Sequence, residues 1–171
     1  MTTEIERKFT VAEHWQVPDD AVGLHLRQAY LTPPGAPVEF RVRAAGNARA
    51  LTAKSFDSAS GAMVRQEVEF AIDPAVFEQL WELARRDSLS KFRWSVPLGD
   101  EHLASVDEYD GPLSGLRVVE VEFGSVEEAR DFRPPSWFGE EVTGDPAWSN
   151  RELAASAQQY ETKESADEPA H

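Results

Sequence analysis

The sequence predicts an α+β protein built on an antiparallel sheet, and three observations carry that class. Eight short segments alternate apolar with polar residues at a period of two, helical periodicity is confined to a few places, and Gly, Pro, Asn and Asp punctuate the gaps between strands. With 171 residues the chain suits a single domain, read as residues 2–157, followed by an acidic tail at 158–171. The stretch from Glu161 to His171 is polar and aperiodic, so disorder is expected there.

In Glu4-Ile5-Glu6-Arg7-Lys8-Phe9, residues Glu4, Glu6 and Lys8 share one face of an extended segment and Ile5, Arg7 and Phe9 the other. Pro18 and Asp19-Asp20 mark an irregular connection with a short helical turn near Ala12 to Trp15. Leu24 to Leu31 is the second strand, with Gln28 and Tyr30 pointing the same way. Val38 to Arg43 sets Val38, Phe40 and Val42 against Glu39, Arg41 and Arg43, so two guanidinium forks aim at one place. A Gly46-Asn47 hairpin leads into Arg49 to Phe56, where Thr52 and Lys54 align. After a loop holding Ser58, Ser60 and Gly61, Met63 to Ile72 alternates Arg65, Glu67 and Glu69 with Val64, Val68 and Phe70.

Asp73-Pro74 is a helix start, and Phe77, Leu80, Trp81 and Ala84 give the helix an apolar stripe to about Arg86. Strands follow at Ser90 to Trp94, with Lys91 and Arg93 aligned, at His102 to Tyr109, with Ser105 and Asp107 aligned, and at Leu116 to Phe123, with Glu120 and Glu122 aligned. Pro97 to Asp100 supplies one turn. Ser125 and Glu128 form a capping-box signature for a short helix ending near Phe132, before Pro134-Pro135. Glu141 to Thr143 is read as a short extended piece, and a last helix starts at Asp145-Pro146 or at Ser149 and runs to about Gln159.

Two architectures fit: an open sheet showing its charged faces to water, or a barrel closed around them. The charged faces collect Lys8, Arg41, Arg43, Lys54, Arg65, Lys91 and Arg93 against Glu4, Glu6, Glu39, Glu67, Glu69, Asp107, Glu120 and Glu122. The two sets nearly balance although the chain carries a net charge of -14, so cations are concentrated in the strands. Converging guanidinium and ammonium groups suit a ligand bearing several phosphates, and clustered carboxylates suit magnesium or manganese. Together they point to metal-assisted phosphoryl transfer.

The acid excess argues against nucleic acid as a partner. Cysteine is absent, which removes thiolate sites and disulfides and agrees with a cytoplasmic location. His14, His25, His102 and His171 make no zinc-like spacing. No apolar run is long enough for a membrane span, and a monomer or homodimer is expected.

The ordered motifs resemble the CYTH superfamily of triphosphate tunnel metalloenzymes. Glu4-Ile5-Glu6-Arg7-Lys8 matches its ExExK signature, followed by Arg27-Gln28-Ala29-Tyr30-Leu31, Glu39-Phe40-Arg41-Val42-Arg43, Leu51-Thr52-Ala53-Lys54, Arg65-Gln66-Glu67-Val68-Glu69, Lys91-Phe92-Arg93, Val106-Asp107, Glu120-Val121-Glu122-Phe123 and Glu141-Val142-Thr143. The chain looks most like the short bacterial inorganic tripolyphosphatases. The resemblance implies an eight-stranded antiparallel β-barrel, flanked by helices, that hydrolyses inorganic triphosphate with Mg2+ or Mn2+. It assigns phosphate binding to Lys8, Arg41, Arg43, Lys54, Arg65, Lys91 and Arg93, and metal binding to Glu4, Glu6, Glu67, Glu69, Asp107, Glu120 and Glu122. Tyr30 matches a proton acceptor of some members, and Lys91 and Arg93 join it as catalytic candidates. Trp94 and Ala104-Ser105 depart from the usual pattern. An adenylate cyclase, a thiamine or nucleoside triphosphatase, and a non-catalytic polyphosphate sensor are the alternatives.

Overall fold

A computed structural model describes residues 2–56, 64–99 and 102–167. The strands are β1 (Thr2–Val11), β2 (Val22–Tyr30), β3 (Val38–Ala45), β4 (Ala48–Phe56), β5 (Val64–Ala71), β6 (Ser88–Leu98), β7 (His102–Tyr109), β8 (Arg117–Glu122) and β9 (Phe138–Glu141). The helices are α1 (Pro74–Ala84), α2 (Val126–Asp131) and α3 (Asn150–Asp167). Every strand pairing is antiparallel, in the order β5-β4-β3-β2-β6-β7-β8-β1, and β5 pairs again with β1 to close an eight-stranded barrel. The closing register runs from Thr2 opposite Glu67 to Ile5 opposite Val64. β9 lies outside the barrel as a ninth strand on β1.

Because side chains alternate across each strand, closure sorts the residues into an inside and an outside. Most of the apolar core is on the outside, while a smaller cluster of Tyr30, Leu89, Tyr109 and Val118, on the inward parity of the strands, meets Leu153 and Ala154 of α3. Phe9, Val96, Ala104, Val106, Val119 and Val121 pack with Trp15, Ala129, Phe132 and Phe138 from the covering loops and α2. On the far side α1 lays Phe77 and Ala84 on Ala29, Val42 and Ala44. The start of that helix is fixed as its sequence dictates, with the Asp73 carboxylate accepting from the Ala75 N–H and Pro74 at the first position. Ser125 likewise caps α2 by accepting from the Glu128 N–H.

Arg7, which faces outward, ties these layers together. Its Nε and Nη2 form a two-pronged pair with Glu141 at 2.8 and 2.6 Å, and its Nη1 donates to the Ala129 and Phe132 carbonyls. The β3–β4 hairpin turns at Gly46-Asn47, where Gly46 takes the positive φ of 54° that a two-residue hairpin turn needs at its first position.

Several boundaries differ from the sequence reading. The extended piece expected at 141–143 falls at Phe138–Glu141, whereas the turn expected near Ala12 to Trp15 is present, closed by the Trp15 N–H donating to the Ala12 carbonyl at 3.0 Å. β6 continues through Pro97, which is tolerated because its pairing with β2 stops at Ser95. A tight helical turn at Pro146–Trp148 precedes α3, so both proposed starts are used. α3 passes the expected end at Gln159 and reaches Asp167, through a Glu-, Lys- and Ala-rich segment of good helix formers where disorder was expected. Ser58, Ser60, Gly61, Met63, Asp100 and residues 168–171 lie outside the described residues.

Candidate active site

The inward residues of the strands surround a cavity of about 130 Å3. Eight cationic side chains (Lys8, Arg41, Arg43, Lys54, Arg65, Lys91, Arg93 and Arg151) and six carboxylates (Glu4, Glu6, Glu39, Glu67, Glu120 and Glu122) line it. In a chain of net charge -14, this chamber is therefore lined with an excess of positive charge. All seven sequence-predicted phosphate ligands reach this lining, as do Tyr30, Glu4, Glu6, Glu67, Glu120 and Glu122. Glu69 and Asp107 do not. Glu69 is held to one side by Arg43 and the Thr52 hydroxyl, which both reach its Oε2. Asp107 lies beneath the lining, completely buried.

Register explains the ion pairs. Lys8 stands opposite Glu120 across β1 and β8, and the two meet at 2.8 Å. Lys54, opposite Glu67, reaches that carboxylate at 2.6 Å and Glu4 at 2.8 Å. Arg93, opposite Asp107, takes it with two nitrogens at 2.7 Å and also contacts Glu120 at 2.9 Å. Lys91 donates to the same Asp107 and to Asn150. Asp107 therefore spends both oxygens on two cations, beneath the lining, and is placed to orient them.

These pairings shift proton affinities in a consistent sense. Burial works against ionised Glu120, but Lys8, Arg93 and Lys91 together hold it well below the usual carboxylate range. Burial also works against ionised Lys8, and Glu120 with Glu6 more than offset it, keeping the amine charged. Lys91 behaves differently: burial pushes it down to about 8 although Asp107 pulls upward. Tyr30 is pushed well up by burial and then by Glu39, and its phenol oxygen accepts from Gln28 at 2.6 Å. A phenol so placed keeps its proton near neutrality, which does not suit the base role implied by the resemblance.

Glu6 faces Glu122 directly across β1 and β8, a like-charge pair although Glu6 also meets Arg65 at 3.4 Å. Burial, followed by the Glu120 charge, raises Glu6, and burial with Glu4 and Glu120 raises Glu122. Among the described residues no three acidic or histidine side chains converge tightly enough to make a ready metal cage. Magnesium does not demand one: it is commonly held by one or two carboxylates together with substrate phosphates. An opposed carboxylate pair beside a cationic chamber fits that mode.

The sequence reading missed the contribution of α3. Ser149, Asn150 and Arg151 line the chamber, while Leu153 and Ala154 pack on Tyr30, Leu89, Tyr109 and Val118. Arg151 is buried, its guanidinium 5.2 Å from the Tyr30 ring and its Nε donating to the Thr32 carbonyl. Ser149 announced only a helix cap, and nothing in the spacing tied its neighbours to the barrel. Gln28 and Glu39 were legible as residues sharing a face with Tyr30 and Arg41. Trp94 points outward, bonding Glu108 at 2.9 Å, so that departure touches only packing.

No family profile matches the chain. It is 44% identical over 155 residues to an inorganic triphosphatase of Nitrosomonas europaea, covering 90% of this chain and 98% of the relative. An inorganic triphosphatase of Acetivibrio thermocellus is 31% identical over 154 residues, covering 90% and 94%. A solved inorganic triphosphatase structure superposes with a TM-score of 0.66 at 43% identity, over 90% of this chain and 95% of that one. A putative adenylyl cyclase from Hippeastrum, described as having a dominant triphosphatase activity, shares the fold with a TM-score of 0.53 at 14% identity, over 74% and 82%.

Proposed function

The chain belongs to the inorganic triphosphatases of the CYTH superfamily, and on that premise we propose that it cleaves inorganic triphosphate inside the barrel, with magnesium or manganese, to pyrophosphate and phosphate. The observation that carries this reading is the cationic lining of the chamber, with a buried donor left over: among the described residues the Arg41 Nε has no hydrogen-bond partner, and Arg41 is only 7% exposed. A buried unpaired N–H is costly, and a phosphate oxygen would satisfy it.

In this reading Lys8, Arg41, Arg43, Lys54, Arg65, Lys91 and Arg93 hold the triphosphate oxygens, all but Arg41 already oriented by ion pairs of the barrel. That order matters because preorganised donors stabilise charge developing on the phosphoryl oxygens without reorganising during the reaction. Water attacks the terminal phosphorus, the bond from that phosphorus to the bridging oxygen breaks, pyrophosphate leaves with that electron pair, and the proton of the attacking water passes to the departing pyrophosphate oxygen. Glu4, Glu6, Glu120 and Glu122 are the residues suited to hold a divalent ion, with Glu67 nearby. The ion would neutralise phosphate charge and lower the proton affinity of water. Among the described residues the chamber has no aromatic wall apart from the buried Tyr30, which supports recognition of phosphates over a base.

Phosphate release should be measured from tripolyphosphate, ATP and thiamine triphosphate, with magnesium, manganese or chelator, scoring cyclic AMP in the ATP reactions. Metal-dependent cleavage of tripolyphosphate above the other two is expected. Cyclic AMP production, or indifference to chelator, would contradict the reading. The described residues contain no helix long and apolar enough to cross a membrane, and we place the reaction in the cytoplasm.

A further inference from the structure

We propose that Asn150, the first residue of α3, is a positioning residue that aims the Lys91 ammonium into the chamber. An ammonium has three N–H donors. Lys91 is 1% exposed, and two of its donors are committed, one to Asp107 Oδ2 and one to Asn150 Oδ1 at 3.1 Å. With two directions fixed, tetrahedral geometry fixes the third, and Lys91 lines the phosphate chamber. Either acceptor alone would leave the amine free to rotate.

The Asn150 amide is itself held. Its Oδ1 also accepts from the Tyr109 hydroxyl at 2.6 Å, so two donors require oxygen, and not the amide nitrogen, on that side. Tyr109 is buried and stands opposite Lys91 across β6 and β7, with the Lys91 nitrogen 5.4 Å from its ring. Asn150 has no capping duty of its own, because Ser149 accepts the Glu152 and Leu153 N–H groups through its side chain and its carbonyl. Leu153 and Ala154, packed on Leu89 and Tyr109, seat the helix that carries it. Asn150 thus makes the setting of one phosphate cation depend on a helix that contributes no strand to the barrel.

The kinetic part of the test rests on the triphosphatase reading, and a second readout does not. Asn150→Ala should lower kcat/KM for tripolyphosphate by about 10- to 100-fold, the range for losing a hydrogen bond to a charged group. In a Lys91→Met background the same change should alter kcat/KM by less than about twofold, because residues acting through one contact are non-additive. Asn150→Asp, which keeps the acceptor, should recover part of the loss. Independently, the Lys91 ammonium should give a proton–nitrogen correlation signal, protected from exchange in the wild type and lost in Asn150→Ala. Equal losses in both backgrounds, or an unchanged ammonium signal, would overturn the assignment. A wild type silent on tripolyphosphate would retire the triphosphatase reading, and the ammonium signal would still decide the role of Asn150.

Discussion

The two faces of the barrel wall obey opposite rules. Outside, Phe9, Val106, Val119 and Val121 are buried among the rings of Trp15, Phe123, Phe132 and Phe138. Inside, where a small barrel would usually be filled by apolar side chains, there are Lys8, Arg41, Lys54, Lys91 and Arg93 with their carboxylates. Buried ion pairs of this kind are weak contributors to stability, because desolvation consumes most of the attraction. The stability of the fold therefore resides mainly outside and its function inside, on alternate residues of the same strands, with the inward cluster of Leu89, Tyr109 and Val118 under α3 as the apolar exception.

That division is sharpened first by Arg41→Met. Loss of one preorganised donor should reduce kcat/KM for tripolyphosphate by about 10²- to 10³-fold, with little change in unfolding midpoint, and steady-state kinetics beside thermal unfolding check both. Phe77→Ala is the converse. Its ring is fully buried beneath α1, stacked on Trp81, and its loss should cost about 3–5 kcal/mol by denaturant titration, while kcat of the folded fraction stays near wild type. Glu122→Gln comes next, with turnover at limiting magnesium down by roughly tenfold, or about 1.4 kcal/mol, and an unchanged or slightly higher melting temperature because the pair with Glu6 is relieved.

A smaller effect concerns pH. Lys91 is lowered by burial to about 8, against 10.5 for an unperturbed lysine, so the folded protein releases that proton before the unfolded chain does. Folding stability from this residue should rise with pH between those values, while the chamber loses a cation. Tripolyphosphate binding should weaken as pH rises through 8, and that limb should vanish in Lys91→Arg. Calorimetric titration from pH 7 to 9.5 measures it. The smallest effect is expected from deleting residues 161–171, which should leave turnover unchanged.

The period-two pattern made the wall legible, since each strand writes its inside and outside directly into the sequence. Glu4, Glu6 and Lys8 against Ile5, Arg7 and Phe9 is enough to assign β1 both faces. Closure was not legible from the pattern, because it depends on Thr3 and Glu4 meeting Gln66 and Arg65, residues some sixty positions away. Spacing gave charge but not partnership. Asp107 and Glu120 are both aligned acids, yet only register reveals that the first takes Lys91 and Arg93 beneath the lining while the second takes Lys8 and Arg93 on the lining itself. Asn150 and Arg151 were hidden because a helix pattern reports which face packs, not what its first turn touches. The end of α3 was misjudged for a related reason: an aperiodic run of good helix formers propagates a helix without an apolar stripe.

The most direct test of the division between the faces is the Lys8→Met/Glu120→Leu double variant, which replaces one interior ion pair by apolar side chains of similar length. Tripolyphosphate turnover and denaturant unfolding would be measured on the same preparation. The predicted result is a folded protein at least as stable as the wild type, with turnover abolished. A variant that no longer folds, or one that still cleaves tripolyphosphate at the wild-type rate, would contradict the claim that the barrel interior serves substrate and not stability.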